Sequence, residues 1–226
     1  MPHFEYSVKS FNQIVIKGNK EHPVIGSISP NGMLYFHNIP KNASSFMSGM
    51  LDSFGWSKVV SYHQVPQNVN GSKGICLLRD PMRRWISGMT EFLSQVYTED
   101  EIDGSIDVIY KLIKKNPDLD AHTSLQSSYL TGYDLEWFDY LLIHEANGVN
   151  ASMVNYLSRK GWKEDFTNYE RENTTLGNQF KMKIKEMIKQ KLKYDEVFAK
   201  AIKDYYSVDY ELIEWVGRNQ KWIPSI

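Results

Sequence analysis

The residues best equipped for chemistry stand in two short stretches, Lys41-Asn42-Ala43-Ser44-Ser45 and Arg79-Asp80-Pro81-Met82-Arg83-Arg84-Trp85-Ile86-Ser87-Gly88. Each mixes positive charge with hydroxyl donors. Lysine supplies a mobile point charge with three donors, and serine hydroxyls suit whatever oxygens the lysine leaves free. Arginine offers a planar fork that matches two oxygens of a phosphate at once. The chemistry these residue types suit is recognition of an oxyanion, in two places.

The elements around them support that reading. Met33-Leu34-Tyr35-Phe36 is an apolar run bounded by Pro30-Asn31-Gly32, and it reads as a strand at 33–37. The chain turns at Ile39-Pro40, passes through the polar loop 41–45, and becomes a helix over about 45–53 that ends near Gly55. Strand, short loop and helix start make a phosphate cradle: the first amides of a helix have no internal partner, and the dipole adds partial positive charge. The loop is not a Walker A sequence, which places glycines before its lysine. The second stretch follows Ile75-Cys76-Leu77-Leu78, a fully apolar run that suits a buried parallel strand. Asp80 reads as the N-cap and Pro81 as the first residue of the next helix. That helix is traced to Val96 by Trp85, Ile86, Met89, Phe92, Leu93 and Val96.

Elsewhere, residues 1–30 read as an irregular or edge-strand lead-in with short β-like pieces at Gln13–Ile16 and Val24–Gly26. Val59–His63 is a further short strand, 64–74 a polar loop, and 98–107 an acidic surface loop. Helices are expected at Ile106–Lys115, Asn150–Arg159, Lys181–Leu192 and Glu196–Val216, and a third strong strand at Phe138–Ile143. The lysines of 181–192 read as a solvated face. Strands alternating with helices predict a parallel sheet wrapped by helices, an α/β fold in one domain spanning 1–226.

The chain has 226 residues, a net charge of −1 and 42% hydrophobic and 23% charged residues. That balance argues against a general nucleic-acid binder but allows a locally basic pocket. Cys76 is the single cysteine and reads as a small buried hydrophobe. No window approaches a membrane span, and the N-terminus lacks a long apolar signal region, so a cytoplasmic location with no membrane span is expected. No metal-ligand spacing is recognisable.

The order Ile-Pro-Lys-x-x-Ser-Ser resembles the 5′-phosphosulfate loop of sulfotransferases, which use 3′-phosphoadenosine 5′-phosphosulfate (PAPS). The segment RDPxxRxxSG resembles their 3′-phosphate motif, with Arg79 and Ser87 at its two anchoring positions and Arg83 at the extra arginine of carbohydrate sulfotransferases. Two such motifs in order, each ending a predicted strand, are more specific than either alone. Similarity of a weaker kind runs through 138–145 and 204–212, covering about 33–212 in all. The resemblance implies a sulfotransferase fold with a P-loop-NTPase-like parallel sheet. It implies PAPS as donor and a hydroxyl acceptor, most plausibly a saccharide, with no metal. Lys41 would serve the leaving group. Lys41, Asn42, Ala43, Ser44, Ser45 and Phe46 would line the 5′ side, and Arg79, Arg83 and Ser87 the 3′ side.

The general base stays open among several residues. His63 resembles the catalytic histidine of heparan sulfate 2-O-sulfotransferases by its place between the first helix and the RDP strand. His122 is its competitor, in a His-x-x-x-Gln segment with Gln126. His37 adjoins the loop, and Glu91 and Glu145 are carboxylate alternatives. Tyr97, Tyr129, Tyr133 and Trp137 are candidates for stacking on an acceptor bordered by 64–74, 98–107 and 118–136. The chain departs from Golgi enzymes of this kind in that no membrane anchor is expected and the cysteines of secreted domains are not seen. A small nucleotide kinase and a non-catalytic PAP-binding module are the alternatives.

Overall fold

The computed structural model describes residues 24–61, 71–143, 149–162 and 178–219. Five strands, β1 Val24–Ile28, β2 Leu34–His37, β3 Ser57–Ser61, β4 Lys73–Arg79 and β5 Phe138–Ile143, form one open sheet in the order β3-β1-β2-β4-β5. The helices are α1 Ser44–Ser53, α2 Pro81–Val96, α3 Glu99–Lys115, α4 Val149–Arg159, α5 Gln179–Tyr194, α6 Glu196–Tyr205 and α7 Ser207–Arg218. Two short 3-10 turns, Gln126–Leu130 and Leu135–Trp137, lead into β5.

The sheet is mixed, which corrects the expectation of a parallel one. β2, β4 and β5 run parallel, but β1 pairs antiparallel with both β2 and β3. The cause is the tight Ser29–Met33 turn, in which the Gly32 amide donates to the Ser29 carbonyl at 2.8 Å and Gly32 takes φ 70°. So short a connection can only join antiparallel neighbours, whereas a parallel pair needs a crossover. β1 is also an interior strand and not an edge. It passes so close to β2 that a Cβ on Gly26 would collide with the Phe36 carbonyl and the Tyr35 ring.

Both faces of the central strands are covered, as their unbroken apolar runs require. Leu34, Phe36, Ile75, Leu77, Leu141 and Ile143 pack under α1 and α4 with Met47, Leu51, Met153 and Leu157. On the opposite face Tyr35, Cys76, Leu78, Phe138 and Tyr140 meet the 3-10 segments and Leu212 and Val216 of α7. A third cluster joins α2, α3, α5 and α6 around Trp85, Leu93, Ile109, Ile188 and Phe198. Each such large side chain contributes roughly 1.5–3 kcal/mol by leaving water.

Two further expectations are corrected. Residues 98–107 are the first turns of α3 and not a loop, because Thr98 and Glu101 close a capping box and Glu99, Asp100 and Glu101 complement the dipole. The last helix is two helices, broken at buried Tyr206, whose hydroxyl donates to the Thr123 carbonyl. The break aims α7 so that fully buried Asp209 lies against the first 3-10 turn. The strand piece at 13–16 and residues 64–70 of the expected 64–74 loop lie outside the described residues, while that loop's last two residues, Lys73 and Gly74, instead begin β4.

Candidate functional site

Parallel strands β2, β4 and β5 end at one edge of the sheet, with His37 opposite Cys76 and Arg79 opposite Ile143. Ligands of open α/β sheets bind beyond such carboxyl ends. Both motifs read from the sequence leave from this edge.

The first junction runs from β2 to α1. His37 is buried, with Nε2 facing the Tyr129 carbonyl at 2.9 Å. Burial pushes its imidazole down to about 4, only partly opposed by that hydrogen bond, so it is neutral and structural and not a base. Ile39 is buried and pins the turn, while Lys41 and Ala43 take positive φ values of 67° and 57°. Two non-glycine residues in the left-handed region within one short loop mark stored strain, of the kind that gathers at functional sites. Asn42 points inward and is buried: its Nδ2 donates to the Leu77 carbonyl at 2.7 Å and to Gln126 Oε1 at 2.9 Å. It is therefore a strut for the loop, whereas Lys41, Ala43 and Ser44 are half-buried and Ser45 is exposed. Phe46 packs against the core. No side chain caps the first turn of α1.

The second junction runs from β4 to α2. Asp80 caps the helix by accepting from the Arg83 amide at 2.8 Å, with Pro81 at the first position. Half-buried Arg79 donates from a terminal nitrogen to the Lys41 carbonyl at 3.2 Å, which joins the two motifs directly. Gln126 ties them again: its Nε2 donates to the Arg79 carbonyl at 2.8 Å, and its Oε1 accepts from the Arg79 amide at 3.2 Å and from Asn42. The Gln126 and Ser127 amides in turn donate to the two oxygens of Asp209, each at 2.9 Å. Arg84 is fully buried, donating from Nε to the Pro40 carbonyl at 3.0 Å and from a terminal nitrogen to the Ser124 carbonyl. Arg83 is exposed, so the two adjacent arginines divide into an outward and an inward one. Ser87 lies one turn beyond Arg83 and one turn before Glu91, on a shared stripe of α2.

A third region closes over these two. The turn 118–124 packs on α2 where Gly88 carries no Cβ; an added one would meet the His122 carbonyl. His122 Nδ1 lies 2.7 Å from Asp120 Oδ2, and the other oxygen of Asp120 accepts from the His122 and Thr123 amides at 3.0 and 3.1 Å. Burial would raise the Asp120 carboxyl, but the His122 contact and the Thr123 donors outweigh it and hold the carboxyl low. An ionised Asp120 accepts only, so Nδ1 is the nitrogen that donates to it, which leaves Nε2 as the ring nitrogen not engaged by Asp120. Beside this pair, Lys41 Nζ lies 3.3 Å from Glu91 Oε2, and Lys181 Nζ from α5 lies 2.8 Å from the same oxygen. Burial pulls the Lys41 ammonium down, Glu91 partly restores it, and Lys181 opposes it. Burial would raise Glu91, yet the two lysines hold it below its ordinary value.

The structure joins Lys41 directly to Arg79 and to Glu91, with Ser44 and Ser45 following Lys41 at the start of α1, Arg83 and Ser87 on the stripe of α2 that carries Glu91, and His122 on the turn packed at Gly88. His63 and Glu145 lie outside the described residues. The proposed stacking aromatics are corrected: Tyr129, Tyr133 and Trp137 are buried, with the Trp137 indole donating to the Ser72 carbonyl at 2.8 Å. Tyr97 packs on the helical cluster, and 98–107 is helix, so neither offers an open stacking face or an acceptor loop. Lys181, read as part of a solvated face, instead turns onto Glu91. Asp120, Arg84 and Asp209 were not singled out for the site at all. Arg84 had one legible signal, the helical spacing that places Arg84, Gly88 and Glu91 on one stripe.

Among the described residues no three or more His, Cys, Asp or Glu side chains are grouped to hold a metal ion, and no helix is long and apolar enough to cross a membrane. No family model matches the chain, and neither a curated protein nor a solved structure matches it significantly.

Proposed function

We propose that the protein is a PAPS-dependent sulfotransferase acting on a hydroxyl, with a saccharide as the acceptor class. The observation that carries this reading is the Arg79–Lys41 contact, which sets two anion-receptive junctions side by side at the ends of adjacent parallel strands. A donor charged at both its 5′ and 3′ ends needs two such places, and a nucleoside triphosphate in a single glycine loop does not. The residues fit that donor: an uncapped helix start with Lys41, Ser44 and Ser45 on one side, and Arg79, Arg83 and Ser87 on the other.

PAPS, when bound, supplies an activated sulfuryl group for in-line displacement. Lys41 neutralises the charge that develops on the bridging oxygen as the sulfur–oxygen bond breaks. The α1 amides with Ser44 and Ser45 hold the 5′-phosphate, and Arg79, Arg83 and Ser87 hold the 3′-phosphate. His122 Nε2 takes the acceptor hydroxyl proton as the new bond to sulfur forms. Asp120, 2.7 Å from Nδ1, orients the ring and stabilises the imidazolium. Glu91 is the weaker choice of base because both its oxygens are held by lysines, at 3.0, 2.8 and 3.3 Å.

The test is incubation with labelled PAPS and a panel of saccharides, phenols and peptides, read by mass spectrometry, alongside calorimetry with adenosine 3′,5′-bisphosphate (PAP). Sulfated product and PAP binding are expected. PAP binding without any product would leave a nucleotide-binding module, and binding of Mg-ATP in place of PAP would favour a kinase.

A further inference from the structure

The half-buried cations near the first junction are not all accounted for by the two motifs. Lys181 sits in the first turn of α5, where Asn178 caps by accepting from the Lys181 amide at 2.9 Å. A cation there faces the positive end of the helix dipole, an unfavourable place for a lysine with no other purpose. Its side chain does not extend into solvent. α5 packs along α2, and Lys181 Nζ reaches both oxygens of Glu91, at 2.8 and 3.0 Å. Lys181 and Glu91 keep 26% and 23% of their side-chain surface, against 41% for Lys183 and 55% for its partner Glu99 two residues along.

Glu91 Oε2 is shared. Lys41 Nζ approaches it at 3.3 Å and Lys181 Nζ at 2.8 Å, so the two ammonium groups lie no farther apart than those distances combined. Two ammoniums share one carboxylate in a partly desolvated place, and ionised Asp120, held by His122 and Thr123, acts on Lys41 only as a weaker, more distant charge. A pair of ammoniums so placed is expensive unless an anion contacts both directly. The depressed Lys41 ammonium reflects burial first and repulsion by Lys181 among the lesser causes.

We propose that Lys41 and Lys181 form a two-lysine clamp for one oxyanion, with Glu91 as the counterion that holds them together when that oxyanion is absent. This rests on the function proposed above in naming the oxyanion as the sulfuryl group of PAPS. Lys181 then contacts the oxygens that do not bridge to the leaving group, while Lys41 follows the bridging oxygen. Charge on the transferred group is met from two elements, the β2–α1 loop and α5.

The probe is inorganic sulfate, titrated at constant ionic strength with chloride as reference and read by calorimetry and thermal melting. Wild type, Lys181→Ala, Lys181→Gln, Glu91→Gln and the double variant Lys181→Ala/Glu91→Gln are compared. The clamp predicts saturable sulfate binding by wild type and about a tenfold loss in Lys181→Ala, the scale of one charge-assisted hydrogen bond. The double variant must stay weak. If it recovers wild-type affinity, Lys181 only neutralises Glu91 and the proposal is overturned; it is overturned equally if wild type shows no saturation or if both Lys181 variants bind as wild type does. Lys181→Gln, which removes the charge but keeps a polar side chain only one methylene shorter, serves if the alanine variant fails to fold.

A parallel PAP titration separates the two readings. Lys181-dependent sulfate binding without PAP binding leaves the clamp and removes the donor assignment. PAP binding with Lys181-independent sulfate binding does the reverse.

Discussion

The two strand-to-helix junctions at the ends of β2 and β4 are of opposite construction. The β4–α2 junction is relaxed: Asp80 caps, Pro81 starts the helix, and no residue from Arg79 to Arg83 takes a positive φ. The β2–α1 junction is strained and open: Lys41 and Ala43 are left-handed without being glycine, and no side chain caps α1. The strained loop is held from outside, by Arg84 on the Pro40 carbonyl, Arg79 on the Lys41 carbonyl, and Asn42 on Gln126 and Leu77. Uncapped helix amides and a half-buried lysine cost stability, which fits the binding and chemistry proposed for this loop. The relaxed junction supplies the braces.

The sharpest division between the junctions is expected in turnover. Lys41→Ala should lower kcat by about a hundred- to a thousandfold, the range for removing one donor to developing negative charge, with PAP binding still measurable. Unaltered turnover in the labelled-PAPS assay would sink that role for Lys41.

Beneath the strained loop, His37 makes a pH-dependent contribution to stability. Its imidazole titrates at about 4 when folded against 6.5 ordinarily, so the unfolded chain takes up the proton first. Stability is therefore complete above the unfolded value and falls as pH drops from 6.5 towards 4. The full loss is on the order of 3 kcal/mol. Urea melts across that window should show a steeper fall in wild type than in His37→Gln, whose remaining slope comes from carboxylates such as Asp120 and Glu91. An equal slope in both would place the titration elsewhere.

Arg79 probes the seam between the junctions. Arg79→Ala should weaken PAP binding by about 1.5–3 kcal/mol, as for hydrogen bonds to charged groups. The same change removes the brace on the Lys41 carbonyl, so it should also slow transfer beyond its effect on binding. Calorimetry giving wild-type affinity would contradict the 3′-phosphate assignment.

The contrast also explains what could be read in advance. Junctions were legible because apolar runs 33–36 and 75–78 stop at residues with strong local preferences, Pro40 and Asp80-Pro81. β1 was less so, because its pairing depends on Gly26 fitting against the Phe36 carbonyl, a contact between strands that no local pattern reports. The acidic start of α3 looked like loop because its apolar residues are sparse, yet Thr98-x-x-Glu101 was a capping box in plain view. Lys181 could not be told from its neighbours by spacing: what distinguishes it is Glu91, ninety residues earlier in the chain and adjacent only once α5 lies on α2.

The smallest predicted effects carry the comparison furthest, because they differ in sign. Asp80→Ala deletes the acceptor of the Arg83 amide and should cost about 1 kcal/mol. Ala43→Gly is expected to stabilise, by up to about 1 kcal/mol, since φ 57° strains alanine by roughly 1–2 kcal/mol and glycine's greater unfolded freedom returns only part of that. The glycine loop should in turn hold Lys41 less firmly, so the melting temperature rises while kcat falls. Should Ala43→Gly lower the melting temperature, φ 57° carries no net strain for alanine in this loop. Should it raise both temperature and turnover, the strain exists but serves no part in positioning Lys41.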